Sequence, residues 1–418
     1  MTSLEEVYSL FLSSSGVQTD SRKVAKNQLF FALKGPHFDG NQYAEAALKR
    51  GAIACVVDDA GLAESNPKFI LVADVLHCLQ ELANHHRKQL DIPIIALTGS
   101  NGKTTTKELI HAVLSTTHQV LATDGNLNNH IGVPLTLLRL NKTHSHAIIE
   151  MGANHIREIN FLCTIAQPTH GLITNVGKAH LEGFGSEEGV LQGKTELYQY
   201  LKKTNGCAFV HEDDTKLMHA LGEIPSVNYS TKSFELVQEQ PTIVLKFKQH
   251  PFKTNLVGSY NLANIAAAVA VGTFFDVPFA AIFQAIENYV PNNNRSQLMV
   301  KNGKKLILDA YNANPTSMRA AVISFSQQKG EKALILGHMA ELGLYENQEH
   351  HELVDMVSNL DFETCYWIGT PYKPLVKENW FIDVTSFNDY LQNNPIEERQ
   401  VLIKGSRSAA LEKVLDFI

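Results

Sequence analysis

Cysteine is scarce in this sequence and forms no recognisable pattern. The 418 residues include five cysteines, and no two of them make a Cys-x-x-Cys pair. An odd and scattered set argues against a disulfide framework and against a paired-cysteine zinc site, and it is typical of a reducing compartment. We therefore expect a cytoplasmic protein.

Long apolar runs are also missing. No stretch reaches the roughly 18 apolar residues that a membrane-spanning helix needs. The first fifteen residues carry Glu5 and Glu6 instead of a basic segment followed by a long apolar one, so we expect no secretory signal. The sequence thus predicts no membrane insertion.

Basic residues are not in excess. Lysine and arginine number 36 against 43 acidic residues, which gives a formal net charge of −7. A nucleic-acid-binding protein needs surplus cations to neutralise phosphates, so this class is disfavoured. The 44% hydrophobic content is that of an ordinary globular protein, and the length suggests two or three domains.

One glycine-containing stretch, residues 98–106, has the composition of a phosphate-binding loop. It reads Thr-Gly-Ser-Asn-Gly-Lys-Thr-Thr-Thr and lies between a predicted buried strand at 93–97 and a predicted helix at 104–117. Such a turn presents free backbone N–H groups and the positive end of the helix dipole to an anion. Lys103 would neutralise a phosphate, and the Thr104 hydroxyl would ligate its magnesium. Only two residues separate the glycines, whereas the common P-loop has four.

Polar residues follow two further predicted strands. Glu150 comes directly after the apolar stretch 147–149, and residues 175–180, which end in His180, follow the stretch 171–174. Ligands of parallel sheets bind at the carboxyl ends of the strands, so we expect these residues beside the phosphate loop. A carboxylate there can ligate magnesium. Taken alone, however, such a glutamate is more often solvated, and such a histidine is more often structural.

The predicted elements fall into three units, at about 1–88, 89–297 and 298–418. The second and third units alternate strands with helices, and the third ends in a predicted helix from Ser408. This alternation predicts an α/β fold with mostly parallel sheets, and a small doubly wound domain at the end.

Together these motifs resemble the Mur ligase family, the ATP-dependent enzymes that build the peptide of the cell-wall precursor. The resemblance covers essentially the whole chain and rests on four segments: the loop at 99–104, Gly-Asn-Leu-Asn-Asn-His-Ile-Gly-Val-Pro at 125–134, Glu-Met-Gly-Ala-Asn at 150–154, and Asp-Ala-Tyr-Asn-Ala-Asn-Pro-Thr-Ser-Met at 309–318. It implies an N-terminal UDP-precursor-binding domain at 1–88 and a central P-loop-type ATP-binding domain with a parallel sheet at 89–297. A C-terminal Rossmann-like domain at 298–418 would bind the incoming dipeptide.

The resemblance also implies roles for individual residues. The implied nucleotide contacts are Gly99, Ser100, Asn101, Gly102, Lys103, Thr104 and Thr105 for the phosphates, Arg295 for the γ-phosphate, Asn261 and Asn264 for adenine, and Asp309 for ribose. The implied magnesium ligands are Thr104, Glu150, His180 and Lys194, the last of which matches a lysine that the family carbamylates with carbon dioxide. The implied substrate contacts are Ser21 and Arg22 for the uridine nucleotide, and Asn126, Asn128, Tyr311 and Asn314 elsewhere. The implied catalytic residues are Lys103, Glu150, His180, Lys194 and Arg295. Without the resemblance, Lys194 would be interpreted as a surface lysine on a helix.

The implied reaction forms an amide from a carboxylate and an amine with ATP and Mg²⁺. The segment 309–318 is most similar to the branch of the family that adds D-alanyl-D-alanine to UDP-N-acetylmuramoyl-tripeptide in peptidoglycan synthesis. The implied partners are these two small molecules, and we expect a monomer.

Two positions depart from the family pattern. Tyr260 stands where the family usually has histidine, so a histidine-specific contact is lost although stacking on adenine is retained. His338 stands where an aspartate is usual, which puts the role of that carboxylate in doubt.

Three other interpretations stay open from the sequence. A sister ligase adds a diamino acid to the dipeptide precursor, but its Asp-Asn-Pro-Arg motif is not found, since Asn314-Pro315 is followed by Thr316. A degenerate homologue would bind ATP without turnover, although the whole implied metal set is present. A P-loop kinase or GTPase would need a different loop spacing.

Overall fold

Three α/β units follow one another along the chain in the computed structural model, which describes residues 1–418. The first unit holds a four-stranded parallel sheet of order β1-β2-β5-β6 and a short hairpin, β3-β4. Its elements are α1 (Leu4–Ser13), β1 (Val17–Gln18), β2 (Leu29–Phe31), β3 (Lys34–Gly35), β4 (Phe38–Asp39), α2 (Ala44–Lys49), β5 (Ala54–Val57), α3 (Ala60–Ser65), β6 (Phe69–Leu71) and α4 (Val75–Lys88).

The middle unit is built on a six-stranded sheet of order β12-β11-β10-β7-β9-β8, in which every pair is parallel. A three-stranded antiparallel sheet, β13-β14-β15, is attached to it. The elements are β7 (Ile94–Thr98), α5 (Lys103–Leu114), β8 (Val120–Ala122), α6 (Gly132–Leu137), β9 (His146–Glu150), α7 (Glu158–Ala166), β10 (His170–Ile173), α8 (Leu181–Phe184), α9 (Glu187–Thr204), β11 (Cys207–His211), α10 (Thr215–Leu221), β12 (Ser226–Tyr229), β13 (Phe234–Gln238), β14 (Val244–Phe247), β15 (His250–Lys253), α11 (Leu262–Phe274) and α12 (Phe279–Asn288). The predicted parallel sheet of this unit is therefore confirmed.

The third unit has a sheet of order β16-β17-β21-β18-β19-β20, parallel except for the edge strand β16. Its elements are β16 (Gln297–Lys301), β17 (Lys304–Asp309), α13 (Pro315–Ser326), β18 (Lys332–Gly337), α14 (Glu346–Ser358), β19 (Thr364–Ile368), β20 (Trp380–Phe381), α15 (Val384–Leu391) and β21 (Gln400–Lys404). The last helix predicted from Ser408 is present as two 3₁₀ segments, Arg407–Ala409 and Leu411–Phe417, and not as one α-helix. Ala410 between them has a φ of +49°, in the left-handed region, which an α-helix cannot continue through.

Helix α4 joins the first unit to the middle unit. Asp74 caps its N-terminus by accepting a hydrogen bond from the first turn, and basic residues fill its last turn, where they complement the helix dipole. The buried Arg87 guanidinium donates to the carbonyl oxygens of Ala166 and Gln167 at 3.2 Å and of Leu90 at 2.6 Å. The bonds to Ala166 and Gln167 satisfy carbonyl groups that have no helical partner at the carboxyl end of α7. The Arg87 side chain therefore connects α4 to the middle unit.

The third unit is docked on the middle unit at the carboxyl ends of β7 and β10. The amide of Asn314 donates to Oδ1 of Asn101 at 2.8 Å, and Lys178 Nζ pairs with Glu349 Oε1 at 2.6 Å. The Glu349 carboxylate is only 2% exposed, whereas the Lys178 side chain is 34% exposed, so only the acidic partner of this ion pair is shielded from water. The two units therefore share a polar interface beside the phosphate loop.

The structure contains no helix with the length and apolar character needed to cross a bilayer.

A histidine cluster lies at the amino ends of the middle-unit strands, opposite the phosphate loop. His146, which begins β9, has its ring centroid 4.4 Å from that of His118 and 4.8 Å from that of Phe275. Burial, aided by the charges of His118 and His170, lowers the pKa of His146 from 6.5 to about 4. The folded protein therefore excludes a proton that the unfolded chain binds between these two pH values.

We expect His146 to weaken the fold under mild acid. Its contribution to the free energy of unfolding is complete above pH 6.5 and is lost as the pH falls toward about 4. Each pH unit in this window costs at most about 1.4 kcal/mol. Chemical denaturation of His146→Gln at several pH values should therefore give a shallower pH dependence than the unsubstituted protein. His219→Gln, at an exposed position on α10, is the matched control. Equal slopes for both variants would contradict this account.

Candidate active site

A cavity of about 1000 Å³ opens between the middle and third units, at the carboxyl ends of β7, β9 and β10. Most of the residues proposed from the sequence meet there. Those lining the cavity are Ser100, Asn101, Gly102, Lys103, Thr105, Asn126, Asn128, Glu150, His180, Asn261, Asn264, Arg295, Asp309, Tyr311 and Asn314. The residues that the sequence argument placed at strand ends thus lie at one cavity, and their roles stay predictions.

Neighbouring side chains lie so close to the phosphate loop that both of its glycine positions leave no room for a Cβ atom. Gly99 has a φ of +144°, and a Cβ atom on it would lie 2.0 Å from Oγ1 of Thr174. Gly102, with a φ of +79°, would place a Cβ atom 2.5 Å from Oδ1 of Asn264. The loop is held from the neighbouring strand end, since Asn175 accepts a hydrogen bond from the backbone N–H of Asn101 at 3.0 Å. Asn175 begins the segment 175–180 that the sequence analysis placed beside the loop, but it was assigned no role of its own from the sequence.

Lys103 has only carbonyl partners in the protein. Its Nζ donates to the Gly99 oxygen at 2.6 Å and lies 3.4 Å from that of Ser100. Burial lowers the pKa of Lys103, while the charge of Glu150 acts in the opposite direction. A cation at a helix N-terminus, with no carboxylate paired to it, is well placed to bind an anion.

A carboxylate and a hydroxyl meet next to Lys103. Glu150, 1% exposed at the end of β9, accepts hydrogen bonds from Thr104 Oγ1 at 2.9 Å and from the Asn128 amide at 2.8 Å. Hydroxyl and carboxylate oxygens are the hard donors that Mg²⁺ prefers, so this pair fits a magnesium ion. No three His, Cys, Asp or Glu side chains converge in a group that could hold a metal ion.

Lys194 is fully buried on α9, in contrast to the surface position that composition alone would favour. Its Nζ donates to the carbonyl of Ala153 at 3.1 Å and lies 5.1 Å from the centre of the Phe184 ring. Burial, followed by the charge of Lys103, lowers the pKa of Lys194 well below its usual value. A buried neutral amine is nucleophilic and can add to carbon dioxide.

His180 stands at the start of the short helix α8 with a φ of +52°. Its Nδ1 lies 2.5 Å from Oε2 of Glu341, a third-unit residue that also lines the cavity. His180 holds the pKa of the Glu341 carboxyl below its usual range, so the carboxylate is ionised at neutral pH. Sequence reasoning missed Glu341, although it lies only three residues after His338, because nothing in the local pattern pairs it with His180.

The distal part of the cavity contains two linked asparagines. Asn264 accepts a hydrogen bond from Thr106 Oγ1 at 3.0 Å and donates to Oδ1 of Asn261 at 2.8 Å. Tyr260, the departure from the family pattern, has its hydroxyl 2.8 Å from Oγ of Ser296. Its ring is thereby anchored to the segment that enters the third unit.

The third unit contributes a carboxylate and a tyrosine ring on which two arginines stack. Asp309 Oδ2 pairs with the buried Lys404 at 2.6 Å. The Arg295 guanidinium lies 3.8 Å from the centre of the Tyr311 ring, and that of Arg407 lies 5.6 Å away. Stacking on Tyr311 leaves the arginine N–H groups free for an anion in the cavity.

His338, the second departure, lies beside this loop. Its Nε2 is 3.0 Å from Oγ of Ser408, and burial lowers its pKa. The imidazole is therefore neutral at pH 7.

Five of the proposed residues do not line the cavity. Gly99, Thr104 and Lys194 lie directly behind its wall, in the contacts described above. Ser21 and Arg22 belong to the first unit, where the Arg22 side chain is 84% exposed and pairs with Asp20 at 2.9 Å. The structure does not bring these two to the cavity, and their role stays a prediction.

Sequence profiles of three Mur ligase domains match successive parts of the chain. The profile described as "Mur ligase family, catalytic domain" matches residues 13–87, "Mur ligase middle domain" matches 97–272, and "Mur ligase, glutamate ligase domain" matches 294–414. The boundaries proposed at 88/89 and 297/298 stay predictions.

Individual relatives extend the similarity over nearly the whole length. A Haemophilus influenzae protein named "UDP-N-acetylmuramoyl-tripeptide--D-alanyl-D-alanine ligase" is 36% identical over 96% of this chain and 92% of its own. A crystal structure of MurF from Acinetobacter baumannii has a TM-score of 0.85 at 30% identity, covering 97% of each chain. A crystal structure of MurF ligase from Thermotoga maritima in complex with ADP has a TM-score of 0.84 at 25% identity, again covering 97% of each chain. The chain belongs to the Mur ligase family.

Proposed function

We propose that this protein is an ATP-dependent ligase that joins D-alanyl-D-alanine to UDP-N-acetylmuramoyl-tripeptide and releases ADP and phosphate. One observation carries the proposal: the phosphate loop, Glu150 with Thr104 hydrogen-bonded behind it, and the third-unit residues Asp309 and Asn314 meet at one cavity. A nucleotide and a second substrate can therefore meet there. The named relatives supply the identity of the substrates.

ATP would lie along the cavity from the loop toward the linked asparagines. The backbone of residues 99–105 and Lys103 would hold the β- and γ-phosphates, and Arg295 would contact the γ-phosphate. Asn261 and Asn264 would contact adenine, and Asp309 would contact ribose. The relative described in complex with ADP supports a nucleotide in this family's fold.

Thr104 and Glu150 would hold one magnesium ion, and His180 with modified Lys194 would hold a second. Bound magnesium would withdraw charge from the transferring phosphoryl group. Lys194 qualifies as a ligand only after modification, because an ammonium group repels a cation. Its neutral amine would attack the carbon of CO₂, a C–N bond would form as one C=O π bond opens, and loss of a proton would leave a carbamate.

The protein groups act where charge develops. As the tripeptide carboxylate attacks the γ-phosphorus, negative charge would grow on the phosphoryl oxygens, and Lys103 and Arg295 would stabilise it. The product, an acyl phosphate, is attacked by the amine of the dipeptide, and phosphate leaves. The docked third unit keeps water from this activated carboxyl group.

The remaining substrate contacts would come from both sides of the cavity. Asn126 and Asn128 lie on the middle-unit side, and Tyr311 and Asn314 on the third-unit side. Ser21 and Arg22 would receive the uridine nucleotide from the first unit. The cytoplasmic location and the monomeric state remain predictions.

The proposed reaction is tested by its substrate requirement. We expect phosphate release from ATP and magnesium to need both UDP-N-acetylmuramoyl-tripeptide and D-alanyl-D-alanine, and to yield the UDP-muramoyl-pentapeptide. The parallel assay offers UDP-muramoyl-dipeptide with lysine or diaminopimelate. Turnover only in the parallel assay would establish the sister ligase instead. Nucleotide binding without turnover in either assay would establish a non-catalytic homologue.

Lys194 provides a second test. Lys194→Met should lower kcat by roughly 10- to 100-fold, because a metal ligand is removed. Depletion of CO₂ should slow the unsubstituted enzyme, and bicarbonate should restore it, but neither should affect the variant. A carbamate signal in ¹³C NMR after addition of ¹³C-bicarbonate should be present only with Lys194. Lys202→Met, at an exposed position on the same helix, is the matched control. Unchanged activity of Lys194→Met would eliminate the carbamate from the mechanism.

A further inference from the structure

Glu341 is the only carboxylate that the third unit places against a proposed magnesium ligand of the middle unit. Its Oε2 lies 2.5 Å from Nδ1 of His180, and that nitrogen has no hydrogen-bond partner elsewhere in the protein. The contact is direct, and Glu341 faces the cavity without belonging to the phosphate loop or to the set of proposed ligands.

Backbone contacts fix the approach of the two side chains. The Glu341 carbonyl accepts a hydrogen bond from the N–H of Glu182 at 3.1 Å. Gly343 packs so closely that a Cβ atom on it would lie 3.2 Å from Cα of Glu182. His180 and Glu341 both have left-handed backbone angles, with φ of +52° and +61°. Such angles in non-glycine residues occur where surrounding contacts impose them, and they concentrate at functional sites.

The contact with Glu341 determines which nitrogen of the His180 ring can bind a metal. A carboxylate at Nδ1 selects the tautomer that carries its proton there, fixes the orientation of the ring and leaves the Nε2 lone pair for a metal. Since Glu341 and His180 come from different units, this arrangement exists only while the third unit is docked.

We propose, on the basis of the proposed function, that Glu341 is a positioning residue that orients His180 for the second magnesium ion. Docking of the third unit thereby completes the metal site. The middle unit alone offers His180 without its carboxylate, so it binds the second ion weakly. The second ion then binds firmly only when the third unit is docked, which would limit formation of the acyl phosphate to the docked arrangement.

The interface supplies a matched control. Glu349 also forms an ion pair across these units, with Lys178 at 2.6 Å, but it does not contact a proposed metal ligand. Glu341→Gln and Glu349→Gln are the same chemical change at the same interface. A loss caused by weaker docking alone should appear in both variants.

The experiment titrates Mn²⁺ into the full-length protein with bicarbonate and the β,γ-imido analogue of ATP, and follows free Mn²⁺ by electron paramagnetic resonance. We expect two bound equivalents in the unsubstituted protein. Glu341→Gln should weaken one of them about tenfold and leave the other unchanged, whereas Glu349→Gln should retain both. In a His180→Ala background, Glu341→Gln should cause no further loss. Thermal denaturation verifies that each variant is folded.

The other outcomes overturn the proposal. Two unchanged Mn²⁺ sites in Glu341→Gln would do so, as would an equal loss in Glu349→Gln, a persisting effect without His180, or only one site in the unsubstituted protein. A raised KM for the dipeptide with unchanged Mn²⁺ binding would instead assign Glu341 to the incoming amine. Failure of the proposed function gives a different result. Phosphate release with UDP-N-acetylmuramoyl-tripeptide and D-alanyl-D-alanine would be absent, while the Mn²⁺ titration would still show the expected loss in Glu341→Gln.

Discussion

Two lysines without carboxylate partners impose the constraint on which the site depends. Lys103 and Lys194 donate only to backbone carbonyls, although each lies where burial lowers its pKa. A buried cation is costly unless something negative compensates it. In the proposed function the nucleotide phosphates compensate Lys103, whereas Lys194 loses its proton and, after addition to CO₂, becomes a carbamate anion. Lys404 shows the contrast, since its pair with Asp309 is already complete within the protein.

The same site is composite, because its two walls come from different units. Asn314 bonds to the phosphate loop through Asn101, and Glu341 reaches His180. Both contacts join residues more than 150 positions apart in the chain, so the cavity assembles only by docking. A composite site suits a reaction with an easily hydrolysed intermediate, because the wall that delivers the amine is also the wall that excludes water.

The local features of the site were predictable from the sequence, and the long-range ones were not. The loop at 98–106 is specified by strand-forming residues, two glycines and a helix, all contiguous in the chain, and Glu150 follows from the rule on strand ends. The family resemblance supplied His180 and Lys194. The burial of Lys194 depends on packing against Phe184 and Ala153, and the partner of His180 depends on domain docking. Neither leaves a periodic or local signal, so only the folded chain reveals them.

The two residues that depart from the family pattern, Tyr260 and His338, each contact a nearby hydroxyl group. Tyr260 reaches Ser296, and His338 reaches Ser408, so both side chains keep a polar partner at the edge of the cavity. The consequences differ because the charges differ. A tyrosine can replace the ring surface of a histidine, but a neutral imidazole cannot replace the negative charge of an aspartate. At position 338 this chain therefore retains an orienting hydrogen bond without the carboxylate. The ionised Glu341, three residues further along the same segment, supplies the negative charge near the cavity.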